Sequence, residues 1–217
     1  MPLTHAELKT RQRAERDTYP PGLTMRVHRA LSWLDRAEQC EDDDGRFIFL
    51  WIAFNGAYAN ELGDGDRLYE KQAFGQFLDK LIELDAQDVL YKLIWNEFPG
   101  SIRVLLKNHY VFEPFWEFHR GNIAEDEWQA QFDRANRGAF KALTEHRTGA
   151  VLSIVLSRMY TLRNQLIHGG ATWNSAVNRE QLRDCTAFLG KLVPFVIHLM
   201  MDHPETLWGD ACYPVVD

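Results

Sequence analysis

The 217-residue sequence has little cysteine, no long uninterrupted apolar run and no excess of positive charge. Its three cysteines, Cys40, Cys185 and Cys212, are scattered and show no CxxC spacing. This argues against a disulfide scaffold or a zinc site and favours a reducing compartment. The longest apolar run near the C-terminus, 192–201, is well short of the ~20 residues that span a bilayer. The polar N-terminus does not resemble a secretory signal. We therefore expect a cytoplasmic protein without a membrane segment.

The formal net charge of −7 argues against a protein whose entire surface binds nucleic acid. The charge is distributed unevenly, however. Acidic residues gather at 41–44, whereas Glu145 is the one acidic residue from 134 to 168. The basic residues of that segment are Arg134, Arg137, Lys141, Arg147, Arg158 and Arg163. Any contact with a nucleic acid is therefore expected in this locally basic segment.

Apolar residues recur at helical spacing along most of the chain, and no pair of strands is evident. The periodicity predicts an all-α protein, with helices over about 47–61, 124–146, 149–168 and 179–201 and shorter helices between them. A hydrophobic content of 46% is sufficient for a packed core in one domain. We place that domain at 21–217. Residues 1–20 form an N-terminal arm that is expected to be frayed or docked on a partner.

One helix end carries the sequence RNxxxH, formed by Arg163, Asn164 and His168 and followed by Gly169 and Gly170. Asn164 and His168 are four residues apart and share a helix face. Arg163 and His168 are five apart, which separates them by roughly 140° around the helix axis. The length of arginine, a loosened helix end at the glycine pair, or a second copy of the motif across a dimer axis would bring them together.

These residue types suit RNA cleavage by the 2′-hydroxyl. A histidine can take the 2′-OH proton or protonate the leaving 5′-oxygen. Arginine can hold two phosphate oxygens as the phosphorane forms, and Asn164 would orient a phosphate oxygen or the imidazole. No carboxylate cluster for Mg²⁺ accompanies the motif, which favours transesterification without metal or cofactor. The structural alternative is that Arg163 and His168 are cations favoured at any helix C-terminus.

The context of the motif favours the functional interpretation. RNxxxH closes a penultimate long helix in an all-α chain whose earlier buried helix reads LWIAFNGAYA. In these features the chain resembles the HEPN superfamily and, within it, the bacterial Apea-like HEPN proteins. The resemblance is clearest over 26–61 and 147–201. It implies a HEPN-like helical bundle with additional short helices that forms a homodimer, in which two copies of the motif face a shared cleft.

The resemblance also implies a function, a metal-independent endoribonuclease cleaving single-stranded or looped RNA. The expected setting is phage defence or a toxin–antitoxin system, with an antitoxin or another defence protein as a further partner. Arg163 and His168 correspond to the family's arginine and histidine, and Asn164 to the polar residue after the arginine. Toxins silenced by a nucleotidyltransferase carry a tyrosine two residues after the histidine. Gly170 stands there in this chain, which argues against silencing by adenylylation of this motif.

Five further residues are candidates for supporting roles. Arg158, Arg147 and His146 would widen the RNA-binding surface, although the helix dipole alone accounts for His146 and Arg147. Asn55, in the apolar helix, needs a hydrogen-bond partner if it is buried, and we predict that it braces the motif helix. Tyr160, one turn before the motif, would line the cleft or pack at a dimer interface.

Two other functions remain open from the sequence. A catalytically inactive HEPN module would bind RNA, a nucleotide or a protein partner through the same cleft, and it predicts tight binding without turnover. A purely structural dimerisation domain predicts that charge reversal at Arg158 and Arg163 changes solubility alone.

Overall fold

The structure, a computed structural model, describes residues 3–58, 67–206 and 208–209. Throughout those residues the secondary structure is helical and contains no strand, which confirms the predicted all-α class. The α-helices are α1 (His5–Glu15), α2 (Pro21–Glu38), α3 (Asp43–Tyr58), α4 (Arg67–Leu84), α5 (Val89–Lys92), α6 (Pro99–Lys107), α7 (Glu113–His119), α8 (Glu125–Thr144), α9 (Thr148–Ile167) and α10 (Arg179–Asp202). Turns of 3₁₀ helix span Arg16–Thr18 and His109–Val111, and a π-helical turn spans Leu93–Glu97.

The chain folds as two compact units, and the first holds α1 to α4 together with α10 from Thr186 onward. Helices α2 and α3 share the most extensive contact in this unit. Their backbones lie so close that a Cβ added at Gly56 would be 3.2 Å from the backbone nitrogen of Ala30. The predicted central helix is α3, which begins at Asp43 rather than at 47 because acidic residues suit a first helical turn. Positions 59–61 of that prediction lie outside the described residues.

The N-terminal segment contains a packed helix where a frayed or partner-docked segment was expected. Thr4 and Glu7 form a capping box at the start of α1, which supplies side-chain acceptors to two backbone N–H groups. Leu8 is buried, and Arg11 donates to a carboxylate oxygen of Asp202 at 2.6 Å. A cap, one buried leucine and one ion pair therefore hold a helix whose composition is otherwise polar.

A fully buried arginine ties three segments of the first unit together. Arg26 on α2 donates to the carbonyl oxygen of Ala57 at 2.9 Å and to that of Gly209 at 3.1 Å. A hydrogen bond from a charged donor contributes about 1.5–3 kcal/mol of stability. The guanidinium therefore joins α2 to the end of α3 and to the chain after α10.

An aromatic pair lies at the surface of the first unit. Trp33 on α2 stacks on Phe49 of α3 with ring centroids 5.6 Å apart and an interplanar angle of 19°. The guanidinium of Arg36 lies 5.0 Å from the Phe49 ring centroid. This pair is therefore a surface aromatic cluster next to a cation, and its residues have no unusual backbone geometry.

The second unit holds α5 to α9 and α10 as far as Cys185. Helix α9 contacts α6, α8, the π-helical turn and the second 3₁₀ turn. Its predicted span, 149–168, agrees with Thr148–Ile167. The predicted inward-facing residues Leu152, Val155, Met159 and Leu162 are buried, whereas Leu166, in the last turn, is half-buried. The helix that carries the RNxxxH motif is thus fixed by its neighbours over most of its length.

The π-helical turn positions Trp95. The amide of Phe98 donates to the carbonyl oxygen of Leu93, five residues earlier, at 3.0 Å. Pro99 then begins α6, since its missing N–H suits the first position of a helix. Leu93 and Ile94 are buried while Trp95 is half-exposed. Such turns are rare and occur frequently at functional sites.

By length and composition, helix α10 could cross a membrane. However, 72% of its most apolar 18-residue window is buried inside the protein, a property of core helices. Five residues at helical spacing along α10 are buried, namely Leu182, Cys185, Leu189, Leu192 and Val196. The helix continues through Pro194. The cytoplasmic location and the absence of membrane contact stay predictions.

Candidate active site

Helix α9 ends at the glycine pair, as the sequence predicts. The amide of Gly169 donates to the carbonyl oxygen of Leu166 at 3.3 Å, and that of Gly170 donates to Gln165 at 2.7 Å. These two bonds form a Schellman motif. Gly169 has φ +69°, a left-handed conformation that glycine adopts without steric cost. His168 is the C-cap residue, and its side chain is exposed.

Arg163 is held beside Asn164. Its NH1 donates to Asn164 Oδ1 at 2.9 Å, and its guanidinium carbon lies 5.8 Å from the ring centroid of Tyr160. Its Nε is buried and has no hydrogen-bond partner among the described residues. A guanidinium that is oriented by a neighbouring amide is suited to bind an anion through its terminal N–H groups, since the buried Nε is out of reach of solvent.

The helix end does not bring His168 to Arg163. No hydrogen bond joins their side chains in the described part of the chain, in agreement with a separation of roughly 140° around the helix. Loosening at Gly169 and Gly170 is also absent, because the Schellman bonds close that end. Two of the three ways of bringing Arg163 and His168 together therefore remain, namely the length of the arginine side chain and a second copy of the motif.

An exposed face runs along the last two turns of α9. It consists of the exposed Tyr160, Ile167 and His168 and the half-buried Asn164, at offsets of four, seven and eight residues from Tyr160. Tyr160 is 51% exposed and Ile167 is 45% exposed. Two large side chains with apolar surface therefore lie uncovered beside the motif residues.

Arg158, predicted as an RNA contact, lies in the interior of the second unit. It is 4% exposed, and its guanidinium carbon lies 4.3 Å from the ring centroid of Phe112 and 5.5 Å from that of Phe132. Burial lowers the pKa of Arg158 to about 10. In this position it is not available to RNA at the surface. An RNA-binding role for Arg158 stays a prediction that requires the two rings to move.

Unpaired buried polar atoms collect on α8 and α9. Among the described residues, the buried side-chain atoms without a hydrogen-bond partner are Trp128 Nε1, Asn136 Oδ1, Arg158 NH1 and Arg163 Nε. Each such atom costs about 1–3 kcal/mol of stability. Native proteins break local rules of this kind mainly at functional sites. The two helices that carry the candidate residues therefore have the feature expected of a functional region.

His146 has an unusual backbone conformation at the end of α8. Its φ is +53°, where a side chain costs about 1–2 kcal/mol. The His146 amide donates to Leu143 at 3.3 Å, and the Arg147 amide donates to Ala142 at 3.0 Å. This is the Schellman pattern of the α9 end with histidine in the place of glycine. The Tyr91 hydroxyl lies 3.0 Å from His146 Nδ1, so a hydrogen bond partly compensates for the strain.

Three near-parallel rings meet at this turn, and we call Tyr91, Trp95 and His146 the His146 stack. The ring centroids of Tyr91 and Trp95 are 4.7 Å apart, and that of His146 lies 5.1 Å from Trp95 and 5.7 Å from Tyr91. The interplanar angles are 19–20°. Sequence reasoning singled out His146 but missed Tyr91 and Trp95. Their four-residue spacing indicated that the two rings share a helix face, but their contact with a turn some 50 positions later could not be predicted from the sequence.

Exposed cations accompany the His146 stack. We call them the basic strip, and they are Arg134, Arg137, Lys141 and Arg147. The first three share one face of α8, at offsets of three and seven residues. Glu145 pairs with Lys141 at 3.7 Å and with Arg147 at 3.0 Å. At 1.5 Å per residue, Arg147 and His168 lie at opposite ends of α9, about 30 Å apart. Arg147 is therefore at the far end of α9 from the motif, whereas the other three cations of the basic strip lie along α8.

Two further predictions concern Asn55 and the cysteines. Asn55 is half-buried on α3 in the first unit, and its bracing of the motif helix stays a prediction. Cys40 and Cys185 are free thiols, and Cys212 lies outside the described residues. In the part of the chain that the structure describes, no group of three or more His, Cys, Asp and Glu side chains is placed to hold a metal ion.

Comparisons with protein-family models, with curated proteins and with solved structures find no match to this chain. The candidate functional residues lie at the end of α9 and on the surface at the end of α8.

Proposed function

We propose that this chain is a homodimeric HEPN-type endoribonuclease that cleaves single-stranded or looped RNA without a metal, in phage defence or a toxin–antitoxin system. The end of α9 supports this most directly. Within six residues it carries a guanidinium, an amide that orients it and an exposed imidazole. A cation, an amide and an imidazole are the groups that cleavage by the 2′-hydroxyl requires.

In the proposed reaction, one His168 accepts the proton of the 2′-hydroxyl as the 2′-oxygen attacks phosphorus. The bond from phosphorus to the 5′-oxygen then breaks, and that oxygen takes a proton. The products are a 2′,3′-cyclic phosphate and a 5′-hydroxyl end. Arg163 binds the phosphate oxygens as negative charge develops, through the N–H groups that it does not share with Asn164.

The proposal includes a dimer formed through the exposed face of α9. Base and acid act on opposite sides of the phosphate, and one chain supplies a single motif histidine. A second copy would supply another His168 and would cover Tyr160 and Ile167. Ile167→Glu is then expected to give a monomer by sedimentation analysis and to lose cleavage. Cleavage by a monomeric Ile167→Glu protein would rule out the shared site.

The decisive experiment incubates the purified protein with total RNA in EDTA, wild type beside His168→Ala and Arg163→Ala. We expect wild type alone to produce new 2′,3′-cyclic phosphate ends. The matched control is His198→Ala, which changes a histidine on α10 that is not assigned to the site. Cleavage at wild-type level by both motif variants would overturn the proposal.

A second candidate is a non-catalytic module that binds RNA. The exposed basic strip favours it, because its four cations lie on α8 and in the turn after it and do not include the motif residues. This candidate predicts that His168→Ala binds RNA as tightly as wild type and that neither protein leaves cyclic phosphate ends.

A further inference from the structure

The turn at the end of α8 has histidine, His146, at a left-handed position where glycine would give a less strained backbone. We propose that the His146 stack and the basic strip form a platform that binds an unpaired nucleobase of single-stranded RNA. This inference rests on the proposed function insofar as it takes RNA as the ligand. It adds a base-binding site, with Tyr91 and Trp95 as new functional residues, to the motif at the other end of α9.

The backbone of His146 gives the first argument. A Schellman turn at φ +53° needs no side chain, and glycine would remove the backbone strain. The histidine ring is nevertheless held in place by stacking on Trp95 and by the Tyr91 hydroxyl. Strain of this kind persists where the surrounding structure enforces it, and such positions cluster at functional sites.

The composition of the surface gives the second argument. Proteins that bind single-stranded nucleic acid combine cations along the backbone path with aromatic rings on which bases stack. Here the exposed ring of His146 lies over the half-exposed Trp95, and Arg147 follows it directly in the chain. The other cations of the basic strip continue along α8. The Trp33 pair of the first unit has a ring stack and an arginine but no strained residue, and it serves as the matched reference.

The position of the platform determines its effect on the reaction. It lies about 30 Å from His168 along α9. At the 3.4 Å spacing of a stacked strand, roughly nine nucleotides would reach from one to the other. The platform therefore contributes to affinity and to KM for longer RNA and leaves kcat unchanged. A four-nucleotide substrate should not sense it during cleavage.

The test measures fluorescence anisotropy of a labelled 12-nucleotide single-stranded RNA, with every variant in a His168→Ala background so that RNA stays intact. Trp95→Ala is expected to weaken binding by about tenfold or more, within the range for loss of one base–aromatic stack. His146→Gly is expected to weaken it similarly while the protein stays folded, because glycine suits the turn. Trp33→Ala should bind as the parent does.

An RNA of the same length with abasic positions separates bases from phosphates. On this ligand, the parent and the two platform variants should bind equally and weakly. Unchanged affinity of Trp95→Ala and His146→Gly for normal RNA would overturn the inference, as would a loss in only one of them or an equal loss on abasic RNA.

Failure of the inference is distinguishable from failure of the proposed function. Cyclic phosphate ends from wild type, together with an unchanged KM in the Trp95→Ala and His146→Gly enzymes, would remove the platform and leave the ribonuclease. Base-dependent binding without any cleavage would remove the ribonuclease and leave the platform. If the protein neither bound nor cleaved RNA, both the platform and the ribonuclease would be ruled out.

Discussion

The ends of α8 and α9 have the same backbone hydrogen bonds but different residues at the left-handed position. At the end of α9 that position is Gly169, and the histidine lies one residue before it as the C-cap. At the end of α8 it is His146 itself, and Glu145 is the C-cap. One turn is thus formed without strain and presents its histidine freely. The other is strained and holds its histidine against two aromatic rings.

This difference separates two uses of a helix end. A histidine that moves protons has to be exposed and mobile enough to meet its substrate, which suits the C-cap of α9. A ring that binds a base has to be fixed in orientation, because stacking depends on a flat surface held in place. The following predictions test this division, beginning with the largest expected effect.

Replacing His168 by asparagine keeps a polar residue at the α9 C-cap and removes the acid–base group. We expect cleavage to fall by about 10²- to 10⁴-fold, the usual contribution of a positioned acid or base. The rate of formation of cyclic phosphate ends in EDTA is the measurement, with circular dichroism to verify the fold. If His146→Asn caused the larger loss instead, the roles assigned to the two ends would be reversed.

Gly169→Val places a branched side chain at φ +69°. A Cβ there meets no atom within 4 Å, so the cost comes from the backbone alone. We expect a loss of about 1–2 kcal/mol, which corresponds to a melting temperature lower by roughly 2–8 °C for a chain of this size. The control is Gly75→Ala, which places a small side chain at an open helical position and should not destabilise the protein. A melting temperature unchanged in Gly169→Val would contradict the left-handed geometry.

His146→Gly makes the α8 end resemble the α9 end. Relief of backbone strain and loss of the Tyr91 contact oppose each other, so we expect the free energy of unfolding to change by about 1 kcal/mol or less. Chemical denaturation measures it. A loss comparable with that of Gly169→Val would show that the ring is a structural support of α8.

Tyr91→Phe removes only the hydroxyl that contacts His146 Nδ1. The bond is exposed, so we expect a cost near the lower end of the usual range, about 0.5 kcal/mol. Combining Tyr91→Phe with His146→Gly should add nothing further, since both changes remove the same bond. Additive effects would show that the hydroxyl acts elsewhere.

The two helix ends also show how far the sequence could predict the structure. Gly169 marked the end of α9 because glycine is the usual residue at the left-handed position. His146 gave no such signal, and its ring contacts Tyr91 on α5 and Trp95 in the π-helical turn, which are distant in the sequence. The apolar periodicity predicted α8, α9 and α10, whereas the polar composition of α1 did not predict a helix held by Leu8 and Arg11.

The candidate site could be predicted from the sequence only where its residues lie close together along the chain. Arg163, Asn164 and His168 are neighbours in the sequence, and their positions follow from one helix. Burial of Arg158 depends on Phe112 and Phe132, which lie on other segments, and local periodicity carries no information about such contacts. The exposed cations of the basic strip could be listed from the sequence, and the predicted span of α9 already separated Arg147 from the motif.

Buried Arg158 has a consequence for directed evolution. Burial of a charge without a counter-ion has a desolvation cost, which an apolar residue of similar size would not have. A library selected for heat resistance alone should therefore enrich Arg158→Met or Arg158→Leu early. A parallel library selected for the biological activity of the protein would show whether the guanidinium is retained for a purpose that thermal selection does not detect.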